Sequence, residues 1–327
     1  MALGQLVEGK WTSKREQEDS QGRFLRPATT FRDLRFAAAL RYRITADGSS
    51  GFKAESGRYH LYISWACPWA HRTAIMRKLK GLEDVITLSV VDPIMGEEGW
   101  AFSDYPGSIP DNVNGTQYLR DVYIKADPKF TRRVTVPVLW DKETNKIVNN
   151  ESRDIIGILD TEFGAFVKDE VNFYPQNLQK KIEETIDAIY QPINNGVYRA
   201  GFATSQEAYE EAVTQLFDAL DYWEDVLQKQ RYLCGDTITE ADWCIFTTLF
   251  RFDAVYYVHF KCNLRHIYEY PNLWNYLKDL YQQPGVKETC NLEHIKLHYY
   301  KSHPNVNPTG IVPLGPILDF DAPHNRH

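Results

Sequence analysis

One cysteine stands in the local setting best suited to carry out chemistry. Cys67 follows a short aromatic and β-branched run at residues 59–64 (YHLYIS) and is followed at once by Pro68. Because proline suits the first turn of a helix, this pattern predicts that Cys67 lies where a strand gives way to a helix. There the unpaired backbone N–H groups and the helix dipole stabilise a thiolate. Cysteines so placed have pKa values lowered from about 8.5 to as little as ~3.5, so we interpret Cys67 as a nucleophile.

The residue three positions after Cys67 distinguishes two kinds of thiol chemistry. A C-x-x-C pair would place a second thiol at position 70, where this sequence has Ala70. Without that second thiol, Cys67 cannot release a mixed disulfide internally, and a thiol from solution must do so. Glutathione is the abundant candidate in cytoplasm. The sequence therefore predicts monothiol, glutathione-dependent redox chemistry.

Composition limits the class of protein. The chain has 327 residues with 43% hydrophobic content, which favours two domains. A formal net charge of −7 disfavours binding to nucleic acid or to an anionic membrane surface. We find neither a run of about 20 apolar residues nor the pattern of a secretory signal. Five widely spaced cysteines fit neither a disulfide framework nor a zinc site. Together these observations predict a soluble, cytoplasmic protein without a metal.

The elements around Cys67 form the pattern of a βαβ unit. The strand at residues 59–64 is followed by a helix from Pro68 that Gly81 is placed to end. Residues 85–91 (VITLSVV) then predict a strand buried on both faces, parallel to the first. A long polar segment at residues 92–133 follows, with a helix predicted around residues 117–124.

A hairpin and a helix complete the first half. Residues 134–140 (VTVPVLW) predict a strand that contains Pro137, and a proline there favours an edge or irregular position. A turn at residues 141–145 leads to a strand at residues 146–149. Asn150 then opens a helix that runs through about residue 162.

From about Pro175 the pattern is helical only. Capping boxes are predicted at Thr204-x-x-Glu207 and Thr239-x-x-Asp242, and Pro271 starts a later helix. A proline-rich tail that follows residue 303 is expected to wrap the surface. His294 and His298 share a helix face, but no third metal ligand is evident, so we interpret them as part of a solvated face.

Three motifs carry a family resemblance that spans nearly the whole chain. They are CPWAHR from Cys67, VTVPVLW ahead of NES, and NNGVYRAGF in the helical half. The sequence resembles the glutathionyl-hydroquinone reductases, the Xi class of glutathione transferases. The resemblance implies an N-terminal extension and an α/β thioredoxin-like, glutathione-binding domain at residues 1–168. An all-α glutathione-transferase C-terminal domain with the wrapping tail would form residues 169–327.

The same resemblance implies an activity, a co-substrate and a partner. A cysteine, here Cys67, takes glutathione off a glutathionyl-hydroquinone as a mixed disulfide. The products are the free hydroquinone and glutathione disulfide. Glutathione is thus a co-substrate, and a homodimer is implied by the superfamily.

Roles for individual residues follow from the resemblance as well. Trp100 would lie along the glutathione, and its γ-glutamyl end would be held by Glu151 and Ser152. Further side-chain and backbone contacts to glutathione would come from Arg133, Val134, Thr135 and Val136. The residue before a cis proline turns free backbone N–H and C=O groups toward a peptide ligand; that Pro137 is cis is implied by the fold.

Three tyrosines complete the implied site. Tyr198 would protonate the leaving hydroquinone carbon, while the hydroxyl groups of Tyr256 and Tyr299 would point at the cysteine sulfur and help to hold it as a thiolate. The local motifs NNGVYRAGF, RFDAVYYVHF and LHYYKSHP single out these three among 20 tyrosines.

Two other functions remain open at this point. An Omega-like thioltransferase would use the same Cys67 to reduce dehydroascorbate or protein–glutathione mixed disulfides. A non-catalytic, glutathione-transferase-like module would only assemble complexes. Several aromatic side chains near the implied site favour a flat ring substrate: Trp69, Trp100, Tyr198, Tyr256 and Tyr299. Neither the physiological quinone nor the dimer surface follows from the sequence.

Overall fold

The computed structural model describes residues 4–13, 18–32, 42–167 and 171–326. Its strands are β1 (Gln5–Val7), β2 (Lys10–Thr12), β3 (Tyr59–Ile63), β4 (Thr87–Val90), β5 (Arg132–Arg133), β6 (Val138–Asp141) and β7 (Lys146–Asn149). Its α-helices are α1 (Pro68–Leu79), α2 (Leu119–Ala126), α3 (Ser152–Thr161), α4 (Gln179–Ile189), α5 (Gly196–Gly201), α6 (Gln206–Leu227), α7 (Glu240–Arg251), α8 (Tyr257–His259), α9 (Pro271–Tyr281) and α10 (Leu292–Ser302). Two π-helical turns, Tyr190–Asn194 and Phe252–Tyr256, precede α5 and α8.

The chain forms two compact units. The first unit comprises the described residues of Met1–Glu16, Ala28–Val171 and Glu293–Ser302. The second comprises those of Gln17–Pro27, Asn172–Leu292 and His303–His327. The first unit carries the strands and the second is helical, which agrees with the predicted fold class. The predicted border between residues 168 and 169 lies outside the described residues and stays a prediction.

The main sheet of the first unit has the strand order β4-β3-β6-β7. Its central strand, β3, pairs in parallel with β4 and antiparallel with β6, so that Tyr62 lies opposite both Ser89 and Val138. β6 and β7 form the predicted antiparallel hairpin. Every residue of β3 is buried. The predicted βαβ unit with parallel strands is thereby confirmed, and Cys67 follows the inner strand β3. The predicted burial of the second strand on both faces is wrong, because β4 is an edge strand on which Thr87 is exposed.

Helix α1 starts and ends where its sequence predicts. Cys67 is the N-cap residue and Pro68 occupies the first turn. At the other end Gly81 adopts a φ of +63°, which a residue without a side chain adopts at little cost. The backbone N–H groups of Gly81 and Leu82 donate to the carbonyls of Lys78 and Arg77 at 3.0 and 2.9 Å, a Schellman end. The helix that carries Cys67 therefore has both of its ends defined by local sequence.

The strand predicted at residues 134–140 is shorter than expected. Only Val138–Asp141 is a strand, and Pro137 precedes it, joined to Val136 by a cis peptide bond. Of the two predicted positions, the edge is wrong, because β6 lies between β3 and β7, and the irregular one is confirmed, because Pro137 lies in non-strand backbone. The physical reason is that the strand begins after the proline, whose missing N–H therefore interrupts no ladder hydrogen bond.

Of the two capping boxes predicted in the second unit, one is confirmed, and at the other helix the N-cap residue is one position later than predicted. A capping box joins Thr239 and Asp242 at the start of α7, as predicted. At α6 the N-cap is Ser205 rather than Thr204, and its hydroxyl accepts a 3.2 Å hydrogen bond from the Ala208 N–H. Adjacent Thr and Ser residues are both good caps, and sequence spacing alone chose the wrong one.

The N-terminal segment contains a small hairpin that is not predicted from the sequence. β1 pairs with β2 and also with β5, where Gln5 lies opposite Arg133. The Trp11 indole N–H donates to the carbonyl of Glu97 at 3.0 Å. A Cβ atom at Gly99 would come within 2.8 Å of the Trp11 ring, so the close approach requires glycine there. The hairpin therefore supports the segment that ends at Trp100.

Helix α10 packs on the polar segment at residues 92–106. The His294 Nε2 and His298 Nδ1 atoms lie 2.7 and 3.0 Å from the carbonyl oxygens of Pro106 and Pro93. The backbone N–H of Met95 donates to the Ser302 hydroxyl. The two histidines are only 1% and 5% exposed, so their interpretation as a solvated face is wrong. Local spacing could not reveal that a distant polar segment covers this helix.

Among the described residues, no helix combines the length and the apolar composition that crossing a membrane would require.

Candidate active site

The Cys67 thiol lies at the N-terminus of α1, close to the bend before β6. Its backbone is extended, with φ −77° and ψ 118°, and its N–H donates to the Ser64 carbonyl at 3.2 Å. The Sγ atom lies 3.6 Å from the carbonyl oxygen of Val136, to which the thiol donates. The side chain is partly exposed, whereas Ala70 one turn later is fully buried. A partly exposed sulfur at a helix N-terminus is the arrangement in which a thiolate forms and reacts.

The other four cysteines have different surroundings, and all lie in the second unit. Burial raises the pKa of the Cys234 and Cys262 thiols above the ordinary value. It raises the pKa of Cys290 to about 12. Cys244 is fully buried. Since the thiolate is the reactive form, these sites disfavour nucleophilic chemistry at neutral pH.

A buried tyrosine positions the segment that carries Val134, Thr135 and Val136. The Tyr123 hydroxyl donates to the Thr135 carbonyl at 2.8 Å and accepts from the Asn150 amide at 3.1 Å. Val134 and Val136 are themselves buried. Tyr123 thus joins the backbone beside the Cys67 sulfur to the start of α3.

Glu151, not the predicted Asn150, is the N-cap residue of α3. Its carboxylate accepts hydrogen bonds from the Arg153 N–H at 3.2 Å and from the Thr29 hydroxyl at 3.0 Å. Asn150 is instead turned toward Tyr123. A carboxylate is a favourable cap because it interacts with the positive end of the helix dipole.

Ser152, the first residue of α3, lies beside a buried cation. The Arg72 guanidinium donates to the Ser152 hydroxyl at 3.5 Å, and its Cζ atom lies 4.5 Å from the centroid of the Trp69 ring. Arg72 is almost fully buried on α1. A helix N-terminus together with a guanidinium group favours a ligand carboxylate.

Trp100 and Tyr299 are brought together through a histidine. The rings of Trp100 and His298 are stacked, with centroids 4.8 Å apart and an interplanar angle of 19°. The Tyr299 ring packs edge-on against His298 at 5.4 Å. Trp100 and Tyr299 are buried, and all three residues belong to the first unit.

Tyr198 and Tyr256 lie together in the second unit. Their ring centroids are 5.9 Å apart with an interplanar angle of 61°. Phe260 contacts both rings: it stacks on Tyr256 at 5.5 Å and meets Tyr198 edge-on at 5.4 Å. Both tyrosines are buried; Tyr198 is in α5, and Tyr256 is the last residue of the second π-helical turn.

The structure therefore brings the predicted site residues together in small groups. Cys67 contacts Val136, and Glu151 is hydrogen-bonded to Ser152 at 3.4 Å. Arg133 lies nearby along the chain in β5. The roles assigned to these residues stay predictions. Among the described residues, no cluster of three or more His, Cys, Asp or Glu side chains is arranged to hold a metal ion.

Three contributors were missed by sequence reasoning. Arg72 lies within the CPWAHR motif, where a positive charge five residues after the cysteine was an available signal. His298 precedes Tyr299 in LHYYKSHP, but its partner Trp100 is far away in sequence. Tyr123 lies in the polar segment and had no local signal, because its partners Thr135 and Asn150 are set by tertiary structure.

Comparison with known proteins places both units in one superfamily. Residues 66–162 match the family model "Glutathione S-transferase, N-terminal domain", and residues 206–279 match "Glutathione S-transferase, C-terminal domain". The glutathionyl-hydroquinone reductase YqjG of Escherichia coli (strain K12) is 49% identical over 332 residues, covering 99% of this chain and 98% of the relative.

Solved structures give the same assignment. A Xi class glutathione transferase from Natrialba magadii has a TM-score of 0.92 and 53% identity, with 99% of this chain and 97% of that chain covered. The glutathione-bound structure of Escherichia coli YqjG has a TM-score of 0.89 and 48% identity, with 99% of each chain covered. The chain thus belongs to the Xi class of the glutathione transferases, the family of the glutathionyl-hydroquinone reductases.

Proposed function

We propose that this protein is a glutathione-dependent reductase that removes glutathione from glutathionyl-hydroquinones through a mixed disulfide at Cys67. The observation that carries the proposal is the partly exposed Cys67 thiol at the N-cap of α1, with Ala70 in place of a second thiol. The relatives named glutathionyl-hydroquinone reductase supply the substrate class.

The first half-reaction transfers the glutathionyl sulfur. The Cys67 thiolate attacks that sulfur, a sulfur–sulfur bond forms, and the bond between sulfur and the ring carbon breaks. The electron pair of the broken bond stays on the ring carbon, which takes a proton from the Tyr198 hydroxyl. The hydroquinone leaves, and Cys67 remains as a mixed disulfide with glutathione.

The second half-reaction restores the enzyme. The thiolate of a second glutathione attacks the glutathionyl sulfur of the mixed disulfide, releases the Cys67 thiolate and leaves as glutathione disulfide. The proton that this glutathione gives up replaces the one lost by Tyr198. One glutathione and one adduct thus give one hydroquinone and one glutathione disulfide, so no other reductant is needed.

The first unit offers the groups that this chemistry requires for glutathione. In the proposed site the backbone of Val134–Val136 meets the tripeptide, Arg133 adds a positive charge, and Trp100 lies along the ligand. Glu151 and Ser152 hold the γ-glutamyl end. The buried guanidinium of Arg72 and the backbone N–H groups at the start of α3 support this assignment, because both favour binding of the carboxylate at the γ-glutamyl end.

Tyr256 and Tyr299 are proposed to hold the attacking sulfur as a thiolate by donating their hydroxyl protons toward it. A hydrogen bond to the charged form favours that form, which lowers the cost of keeping a thiolate between turnovers. We further propose a homodimer in the cytoplasm. The superfamily supports the dimer, and an odd number of widely spaced cysteines suits a reducing compartment.

A turnover assay with three substrate types tests the proposal. The panel contains several glutathionylated hydroquinones, dehydroascorbate and a small glutathione mixed disulfide, each with glutathione as the reductant. We expect the glutathionyl-hydroquinones to have the highest kcat/KM. Preference for dehydroascorbate or the mixed disulfide would favour an Omega-like thioltransferase, and glutathione binding without any turnover would favour an assembly module.

The monothiol scheme predicts a specific intermediate. Reduced enzyme that is incubated with a glutathionyl-hydroquinone, in the absence of free glutathione, should gain the mass of one glutathionyl group at Cys67. Intact-mass and peptide mass spectrometry measure this directly. An internal disulfide between Cys67 and another cysteine would contradict the scheme, because it would supply a second thiol from the chain itself.

A further inference from the structure

The segment at residues 21–26 brings a cation to the ring of Tyr198. The Cζ atom of Arg26 lies 4.7 Å from the centroid of the Tyr198 ring. The Arg26 Nε–H donates to the side-chain oxygen of Asn195 at 2.6 Å. Both partners belong to the NNGVYRAGF motif, and all three residues are in the second unit. A distant part of the sequence therefore completes the surroundings of Tyr198.

Asn195 couples this cation to the backbone of α5. Its carbonyl accepts the Tyr198 N–H at 3.0 Å, while its side-chain amide lies 3.4 Å from the Gln191 side-chain oxygen. The amide oxygen of Asn195 is thereby turned toward Arg26. Asn195 is buried, so its hydrogen bond to the guanidinium is shielded from water.

Several contacts hold the segment at residues 21–26 in place beside α5 and α6. The backbone N–H of Thr204 donates to the Gly22 carbonyl at 3.0 Å, and the Ser205 hydroxyl donates to the Gln21 carbonyl at 2.7 Å. The Phe24 ring packs 5.4 Å from the Phe202 ring and is buried. Arg26 is therefore held at the tyrosine by its own segment as well as by Asn195.

A guanidinium over this ring matters most when the phenol has lost its proton. The Tyr198 side chain is only 4% exposed, and a buried phenolate is costly unless a charge or hydrogen bonds compensate it. A cation over the ring face attracts the π electrons of the neutral phenol and attracts the negative charge of the phenolate more strongly. The stabilisation that the Arg26 guanidinium provides therefore increases as Tyr198 loses its proton.

We propose that Arg26 is a positioning residue that holds Tyr198 and stabilises the charge that develops on it as its proton passes to the hydroquinone carbon. The inference rests on the proposed function, in which Tyr198 is the proton donor. It gives the segment at residues 21–26 a part in the reaction, although Arg26 need not touch the substrate. The proton itself still moves from the Tyr198 oxygen to the ring carbon.

Two substitutions of Arg26, Arg26→Gln and Arg26→Lys, test this role with two substrates. Arg26→Gln should lower kcat for a glutathionyl-hydroquinone about 2- to 30-fold, the range that corresponds to a cation–π contact of about 0.5–2 kcal/mol. KM should change little, and the rate with a small glutathione mixed disulfide should be kept, since breaking a sulfur–sulfur bond needs no proton on carbon. Arg26→Lys, which retains the charge, should recover most of the lost rate.

Arg23→Gln is the matched control. Arg23 is on the same segment, forms an ion pair with Glu211 at 3.1 Å and is half exposed. It should leave both rates unchanged, and a thermal melt of each variant checks the fold. Equal loss on both substrates in Arg26→Gln, or no loss on either, would overturn the inference.

A double-mutant cycle separates this inference from the function on which it rests. If Arg26 acts through Tyr198, then Arg26→Gln should have no further effect on hydroquinone release in the Tyr198→Phe background. A full additional loss there would overturn the inference while leaving the reductase assignment intact. Failure of the unmodified enzyme to turn over any glutathionyl-hydroquinone would instead overturn the proposed function.

Discussion

Cys67→Ser is expected to abolish reduction of glutathionyl-hydroquinones, with kcat/KM falling by ~10⁴-fold or more. A serine hydroxyl is protonated at neutral pH, and its oxygen cannot form the sulfur–sulfur bond on which the mixed disulfide depends. The substitution removes only the sulfur at a partly exposed helix N-cap, where serine is itself a favoured residue. The free energy of unfolding should therefore change little. Steady-state kinetics and a denaturant titration measure the two quantities.

The remaining cysteines provide the control for this prediction. Single Cys→Ser substitutions at 234, 244, 262 and 290 should leave kcat intact and at most lower stability, because none of these thiols has a part in the proposed reaction and three of them are buried. Brief treatment with iodoacetamide at neutral pH should label Cys67 ahead of Cys290, because burial raises the pKa of the Cys290 thiol to about 12. Substantial turnover by Cys67→Ala would refute the mechanism, and loss of activity from Cys290→Ser alone would assign the chemistry to another thiol.

Features of the fold that depend on interactions within a few residues can be predicted from the sequence. The strand before Cys67, the proline that opens α1 and the glycine that ends it all act within a few residues, and each was predicted correctly. The capping box at Thr239 is equally local and was also found. Local steric and hydrogen-bonding preferences therefore sufficed to place the candidate nucleophile.

The errors and omissions lie where distant segments meet. His298 was assigned to solvent because its cover, the segment around Pro93, is about 200 residues away in sequence. The central position of β6 depends on β3, which lies far upstream and which no feature of VTVPVLW encodes. Arg26 and Tyr198, which are in contact, are likewise far apart in the sequence. These groups are held by contacts between distant segments, so single-sequence patterns cannot identify their positions.

Tyr198→Phe separates hydroquinone chemistry from generic thiol transfer. Cleaving the bond between sulfur and an aromatic carbon leaves a carbon that must gain a proton, whereas cleaving a disulfide expels a thiolate that needs none. A positioned acid contributes typically ~10²–10⁴-fold to a step that requires it. We therefore expect Tyr198→Phe to lower kcat for a glutathionyl-hydroquinone by that order and to spare the reduction of a small glutathione mixed disulfide.

The surroundings of Tyr198 make phenylalanine a clean replacement. The ring is packed against Phe202 and Phe260, contacts that the substitution retains, so the change removes the hydroxyl and little else. Tyr222→Phe is the matched control, since Tyr222 is 60% exposed and outside the proposed site; it should change neither rate. Equal losses on both substrates would mark Tyr198 as a structural residue, and unchanged rates on both would remove it from the reaction. Only a loss confined to the carbon–sulfur substrate supports proton transfer, because both reactions share the same attack by Cys67 and differ in what leaves.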